Sequence, residues 1–337
     1  MSSRINDQWV VKGSEKGFDE LEYQKNVPVP NVGEHDVLVR LHGASLNYRD
    51  LIITKGMYPF PLNLPVVPAS DGAGEVVSVG PRVTRFKPGD RVVTLFNQGH
   101  QSGPLTTASA QTGLGGVLPG TLRRWGVFGE DGLAASLPCA ALTAWNALYG
   151  LRPVKPGDVV LVQGTGGVSV FALQFAKAAG ATVIATTSSA DKAEVVKRLG
   201  ADHVINYKED RSWGETARGL TRDGAGVDYV VEVGGLGTFE QSLKAIKFEG
   251  IITVIGFLSG AQGEKFPPAI ESLVRVCTIR GLLVGSRAMM EDMVAAIEAN
   301  DIHPVLDKKV FTLEQAREAY DYMWAQSHFG KLAIKIE

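Results

Sequence analysis

The chain has 337 residues, 45% of them hydrophobic and 21% charged, with 39 glycines, which describes a turn-rich globular protein and excludes disordered and fibrous classes. A formal net charge of −2 argues against a nucleic-acid partner, and two cysteines exclude a disulfide framework or a four-cysteine metal knot. No apolar stretch reaches the ~20 residues that span a membrane, and Met1 to Gly13 is polar where a secretory signal needs an apolar core, so the expected location is cytoplasmic, with no membrane partner.

The length exceeds the roughly 100–200 residues of one domain, so two are expected. From Val27 to about Arg124 the sequence runs in short β-like segments broken by Gly and Pro, such as Val37–Leu41, Gly74–Val79 and Asp90–Leu95, which predicts a compact, mostly antiparallel β unit. Gln98 to Gly120, dense in Gly, Ser, Thr and Pro, reads as a long flexible surface loop. From Val154 the pattern changes to strands alternating with helices, at 159–163, 182–187, 203–205, 227–233, 251–257 and 276–284, the signature of a doubly wound parallel sheet. Helices at Met289 to Ala299 and Leu313 to Gln326 follow, and a last strand at Lys331 to Ile336 is expected to return to the β unit.

The most informative run is Val159 to Lys177, an apolar strand that enters a glycine turn and then a helix. Gly164 permits the tight turn, and Gly166 lets backbone N–H groups, with those of Thr165, Gly167 and Val168, approach a dinucleotide pyrophosphate at the helix N-terminus. The third small position of this fingerprint is Ser169 instead of Gly or Ala. NAD-binding versions place an acid at the end of the second strand to hold the ribose diol. Here Ser188 and Ser189 stand there with Lys192 close behind, which favours a 2′-phosphate and therefore NADP(H). The serines are equally suited to capping the next helix. Tyr207 is expected beside the adenine, or else is a surface-loop tyrosine.

Five segments carry a resemblance: Gly43–Asp50 (GASLNYRD), Pro68–Gly74 (PASDGAG), Phe86–Val92 (FKPGDRV), Leu137–Trp145 (LPCAALTAW) and Gly200–Tyr207 (GADHVINY). With the glycine turn, they make the chain resemble the medium-chain dehydrogenase/reductase superfamily over nearly its whole length. The resemblance implies an α/β fold with a GroES-like catalytic β domain (1–134 and 301–337), a Rossmann nucleotide-binding domain (135–300), and a substrate cleft between them. Zinc-dependent members hold a catalytic metal with Cys, His and Cys, and those positions fall here on Asn47, Ser70 and Cys139. An amide and an unactivated hydroxyl are poor zinc ligands, so no zinc is expected, and the resemblance narrows to the zinc-free branch of quinone oxidoreductases, enoyl reductases and 2-alkenal reductases.

That branch implies a site of Asn47, Tyr48 and Asp50. Tyr48 is the leading candidate to bind the substrate oxygen or donate a proton, with packing at the domain junction as its other reading. Asn47 is expected to bind ribose or carbonyl, and Asp50 to pair with Arg49 or orient the nicotinamide side. Around the nicotinamide the resemblance implies Gly256, Phe257 and Val284, with Lys331 as a basic residue near the cofactor. It also implies a homodimer joined through the strand Cys277 to Leu283. One departure stands out: about a dozen residues usual in relatives are absent between the β strands and Leu137-Pro138-Cys139. The expected activity is NADPH-dependent reduction of an activated C=C bond or a quinone, with a small-molecule substrate. The alternatives are a zinc-free carbonyl reductase or alcohol dehydrogenase, and a non-redox scaffold or pericyclic catalyst on the same fold.

Overall fold

The structure is a computed structural model, and it describes residues 4–134, 139–256 and 268–336. The chain divides into two compact units: Met1–Leu142, Val284–Ala299 and Pro304–Glu337 form the first, and Thr143–Leu283 with Asn300–His303 the second. In chain order the first unit contains β1 (Ile5–Val11), β2 (Leu21–Pro28), β3 (Asp36–Leu46), α1 (Tyr48–Thr54), β4 (Asp71–Val79), β5 (Arg91–Thr94), α2 (Thr107–Ala110), β6 (Trp125–Gly129) and β7 (Leu133–Ala134). Helix α3 (Cys139–Tyr149) follows. The second unit runs β8 (Val159–Gln163), α4 (Gly167–Ala178), β9 (Thr182–Thr187), α5 (Ala190–Arg198), β10 (His203–Asn206), α6 (Trp213–Gly219), β11 (Val227–Glu232), α7 (Leu236–Ala245), β12 (Ile246–Val254), α8 (Ile270–Val274) and β13 (Thr278–Gly281). The chain then returns to the first unit with α9 (Arg287–Ala299), β14 (Phe311–Thr312), α10 (Ala316–Trp324) and β15 (Leu332–Lys335).

The first unit is built on a sheet in the order β14-β15-β3-β4-β5-β7, with β6 also paired to β3. Alternation in β3 turns Val37, Val39 and Leu41 into a core shared with Leu46, Leu51, Leu122, Phe128, Tyr320 and Leu332. The antiparallel register sets Leu332 of β15 opposite Leu46, and Asp71 of β4 opposite Ser45. Residues distant in sequence thereby meet at the end of β3. The second unit is a six-stranded parallel sheet in the order β10-β9-β8-β11-β12-β13. Val160, Leu161 and Val162 of β8 are all buried, as expected of a parallel strand covered on both faces.

Two expectations are corrected. Residues 98–120 are not a flexible loop: α2 lies within them, bridges join Asn97 to Gly113 and Leu114 to Leu118, and Leu114 is buried. The packing depends on glycine, since Gly115 has φ +67° and a Cβ there would lie 2.6 Å from the Ala69 carbonyl oxygen. Helix α9 falls within the range expected for the nucleotide-binding domain. It belongs to the first unit, where Met290 and Met293 are buried and the Arg287 guanidinium donates to Asp131 at 2.8 Å. Of the short crossing, Glu130–Gly132 form one 3-10 turn and β7 pairs with β5. Residues 135–138 lie outside the described residues.

Candidate active site

In the first unit the expected site residues gather where β3 passes into α1. Asn47 is the residue before the helix; its backbone N–H donates to Asp50 Oδ2 at 2.8 Å, while the Asp50 N–H donates to the Asn47 carbonyl at 2.9 Å. The Asn47 side chain is held from the opposite direction. Lys331 Nζ donates to Asn47 Oδ1 at 2.8 Å, to the Leu46 carbonyl at 2.9 Å and to Asp71 Oδ2 at 2.9 Å. Asp71 also accepts from Ser45 Oγ at 2.8 Å and from Ser70 Oγ at 3.3 Å. The ammonium and carboxylate are both buried, and an ion pair so placed is tolerable only when the remaining donors and acceptors are met. One is not met: Asn47 Nδ2 is buried with no hydrogen-bond partner among the described residues. A buried donor without an acceptor costs about 1–3 kcal/mol, so this atom marks a place where a ligand oxygen is favoured.

Lys331 is thus committed to the end of β3. All three of its N–H donors are engaged inside the first unit, leaving none for a nucleotide phosphate. Asp50 takes the pairing expected of it with Arg49, which leaves it out of the catalytic set. Its carboxylate is fully enclosed, one oxygen on the Asn47 N–H and the other 3.3 Å from Arg49 Nη1, so it is a helix cap and ion-pair partner, not an acid aimed at substrate. Burial pushes Asp50 up to about 6, against the opposing pull of Arg49. The Arg49 guanidinium donates to the Leu114 carbonyl at 2.8 Å and lies over the rings of Phe96 and Tyr58.

Tyr48 is half-buried, packs against the core of the first unit and stacks on Trp324 with ring centroids 6.1 Å apart. Its packing is thus within the first unit. Burial raises its pKa, which keeps the phenol protonated and able to donate. Burial likewise pushes the Cys139 thiol up to about 12.

In the second unit the glycine turn has the geometry a pyrophosphate needs. Gly164 has φ +71°, its N–H donates to the Thr186 carbonyl at 2.9 Å, and Gly166 precedes the twelve-residue helix α4. A Cβ built on Gly164 or Gly166 meets nothing within 4 Å, so the space above the turn is open. Thr165 is buried, and Gly167 and Val168 open the helix, whose first N–H groups have no partner one turn back. Ser169 substitutes a tether for the expected small residue: its hydroxyl donates to the Gln163 carbonyl at 2.6 Å and ties helix to strand. These residues fit a dinucleotide.

The remaining second-unit residues sort unevenly. Ser189 caps α5, accepting from the Lys192 N–H at 3.4 Å, while Ser188 is half-buried at the end of β9. The Tyr207 N–H donates to the Thr187 carbonyl at 3.1 Å, which brings Tyr207 to the same sheet end as the serines. Gly256 abuts the Val233 carbonyl, where a Cβ would come within 2.6 Å. Val284, counted with the first unit, has φ +52°. Phe257 lies outside the described residues.

Two features were not anticipated. Thr187 Oγ1, at the end of β9 just before the two serines, is buried with no hydrogen-bond partner among the described residues. Glu232, fully buried, accepts from Gly234 N and Gly235 N at 2.9 Å, Thr238 Oγ1 at 2.5 Å, Gln163 Nε2 at 2.6 Å, and Ser242 Oγ. Gln163 Oε1 in turn accepts from Val233 N and Gly234 N, so this carboxylate braces the residue just before the glycine turn.

Comparison with known proteins agrees with these features. Residues 33–138 match the alcohol dehydrogenase GroES-like domain family, and residues 167–299 match the zinc-binding dehydrogenase family. The chain belongs to the medium-chain dehydrogenase/reductase superfamily. It is an oxidoreductase. A zinc-type alcohol dehydrogenase-like protein of Schizosaccharomyces pombe is 46% identical, over 98% of this chain and 99% of that protein. An acryloyl-coenzyme A reductase of Metallosphaera sedula is 30% identical, over 96% of this chain and 98% of that one. A solved NAD-dependent alcohol dehydrogenase superposes with a TM-score of 0.86 at 34% identity, covering 98% of this chain and 100% of its own. The zinc in the family description does not fit the residues found here. Asn47 presents an oxygen already bound to an ammonium, Ser70 donates its hydroxyl to Asp71, and no group of three His, Cys, Asp or Glu among the described residues is placed to hold a metal. In the described residues, no helix is long and apolar enough to cross a membrane.

Proposed function

We propose that this oxidoreductase is a zinc-independent, NADPH-dependent reductase of an activated C=C bond or a quinone. The observation that carries the reading is the replacement of a metal-ligand set by Asn47 Nδ2, a buried N–H donor with no partner among the described residues. Reduction of a conjugated carbonyl builds negative charge on the carbonyl oxygen, and a fixed N–H donor stabilises that charge without a metal. A bound reduced nicotinamide dinucleotide supplies the hydride that the β-carbon takes up. The Tyr48 hydroxyl, held protonated, or a water then provides the proton for the α-carbon, which completes a saturated product. The preference for the 2′-phosphorylated nucleotide rests on the end of β9, where Ser188 stands and no carboxylate excludes the phosphate. The acryloyl-coenzyme A reductase relative supports the C=C assignment.

Mixing the protein with NADPH and a panel of enones and quinones, while following loss of nicotinamide absorbance, tests the proposal. Binding of NADPH with no turnover of any panel member would sink it. A second reading, carbonyl reduction or alcohol oxidation, draws support from the NAD-dependent alcohol dehydrogenase neighbour. Product analysis separates the two, because the first gives a saturated ketone from an enone or a hydroquinone from a quinone, and the second gives an alcohol. Tyr48→Phe with parental turnover would transfer the proton to water.

The partner is proposed to be a second copy of the chain, joined at β13. That strand is the edge of the parallel sheet, and exposed Leu273, Val274, Val276 and Ile279 lie on or beside it. A monomer by light scattering would remove this proposal.

A further inference from the structure

We propose that Lys331 is a positioning residue for the Asn47 amide: it locks Oδ1 inward, so that the Nδ2 hydrogens are always the ones presented to the substrate carbonyl oxygen. The inference rests on the reductase reading above and assigns Asn47, ahead of Tyr48, as the group that binds oxygen.

The argument starts from an ambiguity inherent to asparagine. Its amide has an acceptor end and a donor end of nearly equal shape, and only neighbours decide which faces which way. An unrestrained Asn47 would present its oxygen part of the time and repel the carbonyl it should bind. Lys331 removes the ambiguity because an ammonium donates and never accepts, so the atom 2.8 Å from Nζ is the oxygen. Its other two donors are committed to the Leu46 carbonyl and Asp71 Oδ2, which leaves the ammonium no freedom to turn away. The backbone of Asn47 is fixed independently by Asp50. The opposite end of the amide, Nδ2, is then left buried and without a partner among the described residues. The lysine is itself placed by register, since it precedes Leu332, which pairs with Leu46. Gly330 has φ +67°, and a Cβ there would lie 2.2 Å from the Val305 carbonyl oxygen, so the approach to Lys331 has little latitude.

The test is a double-mutant cycle read in three ways. In the parent, cyclohex-2-enone should shift the side-chain amide resonance that disappears in Asn47→Asp. Asn47→Ala should lower kcat by about 100-fold, the usual loss for one oxyanion donor. Lys331→Met should lower kcat at least tenfold with an unchanged Kd for NADPH, and should abolish the enone-induced shift. Lys331→Met added to Asn47→Ala should cost little more. If the losses multiply, or if Lys331→Met instead weakens NADPH binding, the positioning role is overturned. Lys331→Met strands the Asp71 carboxylate, so the neutral pair Lys331→Met with Asp71→Asn is the second variant, with the same losses expected. If the parent turns over no enone or quinone, the reductase reading fails, and the Asn47 resonance then judges the positioning role alone: no shift with the enone overturns it.

Discussion

The two units prepare for a ligand by opposite physical means. At the glycine turn of the second unit the chain offers main-chain N–H groups and empty space, with no side chain within 4 Å of where a Cβ would stand on Gly164 or Gly166. At the end of β3 the first unit offers a crowded set of buried charges whose donors are nearly all matched internally. The first arrangement accepts any group with phosphate-like charge. The second is a single unmet donor in a satisfied network, and its value lies in orientation. Stability and ligand affinity should consequently separate between the two sites.

The largest expected effect breaks the charge cluster. Lys331→Met leaves Asp71 buried and unpaired and should cost about 3–5 kcal/mol of stability, whereas the neutral double variant should recover most of it. Denaturant midpoints check this, and a single variant as stable as the parent would show that water reaches Asp71. Next is a pH effect at Asp50. Its folded pKa of about 6 lies above the unfolded value of 3.8, so the folded state holds the proton more tightly, and stability should fall as pH rises from about 4 to about 6. Relative to the parent, Asp50→Asn should gain about 3 kcal/mol across that window, and a pH-independent difference would refute the enclosed carboxylate.

The second unit should respond in the converse way. Gly166→Val projects into open space, so thermal stability should barely change while NADPH affinity falls by about 100-fold, or about 2.7 kcal/mol. Isothermal titration beside a melting curve measures both, and a large loss of melting temperature would mean that the turn is packed rather than open. The smallest effect is discrimination. Ser188→Asp should move the NADPH to NADH preference by about tenfold toward NADH, through repulsion of the 2′-phosphate. An unchanged ratio would remove Ser188 from recognition.

The same contrast explains what the sequence made legible. The glycine turn is one contiguous run whose chemistry is carried by backbone, so spacing alone located it, and the parallel strands were readable as apolar runs between helices. Asn47 was reached through its motif, but what holds it was not. Lys331 lies 284 positions from Asn47, and only the β15–β3 register brings them together, so the lysine looked like a free basic residue near a cofactor. The pairing of Asp50 with Arg49 was readable from their adjacency, but its complete burial was not, because a carboxylate beside a tyrosine shows no burial in one dimension. Residues 98–120 looked flexible because glycine-rich composition is shared by loose loops and by chains packed too tightly for a Cβ. Ser169 registered as a departure, because a hydroxyl tether to the preceding strand is invisible until helix and strand are side by side.

The ion pair of the first unit also imposes an order on biosynthesis. Lys331 is translated 260 residues after the Asp71 it neutralises, so for most of elongation the emerging β strands carry a carboxylate whose counter-ion does not yet exist. Until β15 is made, the strand that sets Leu332 opposite Leu46 and the ammonium that meets Asp71 are both missing from the end of β3.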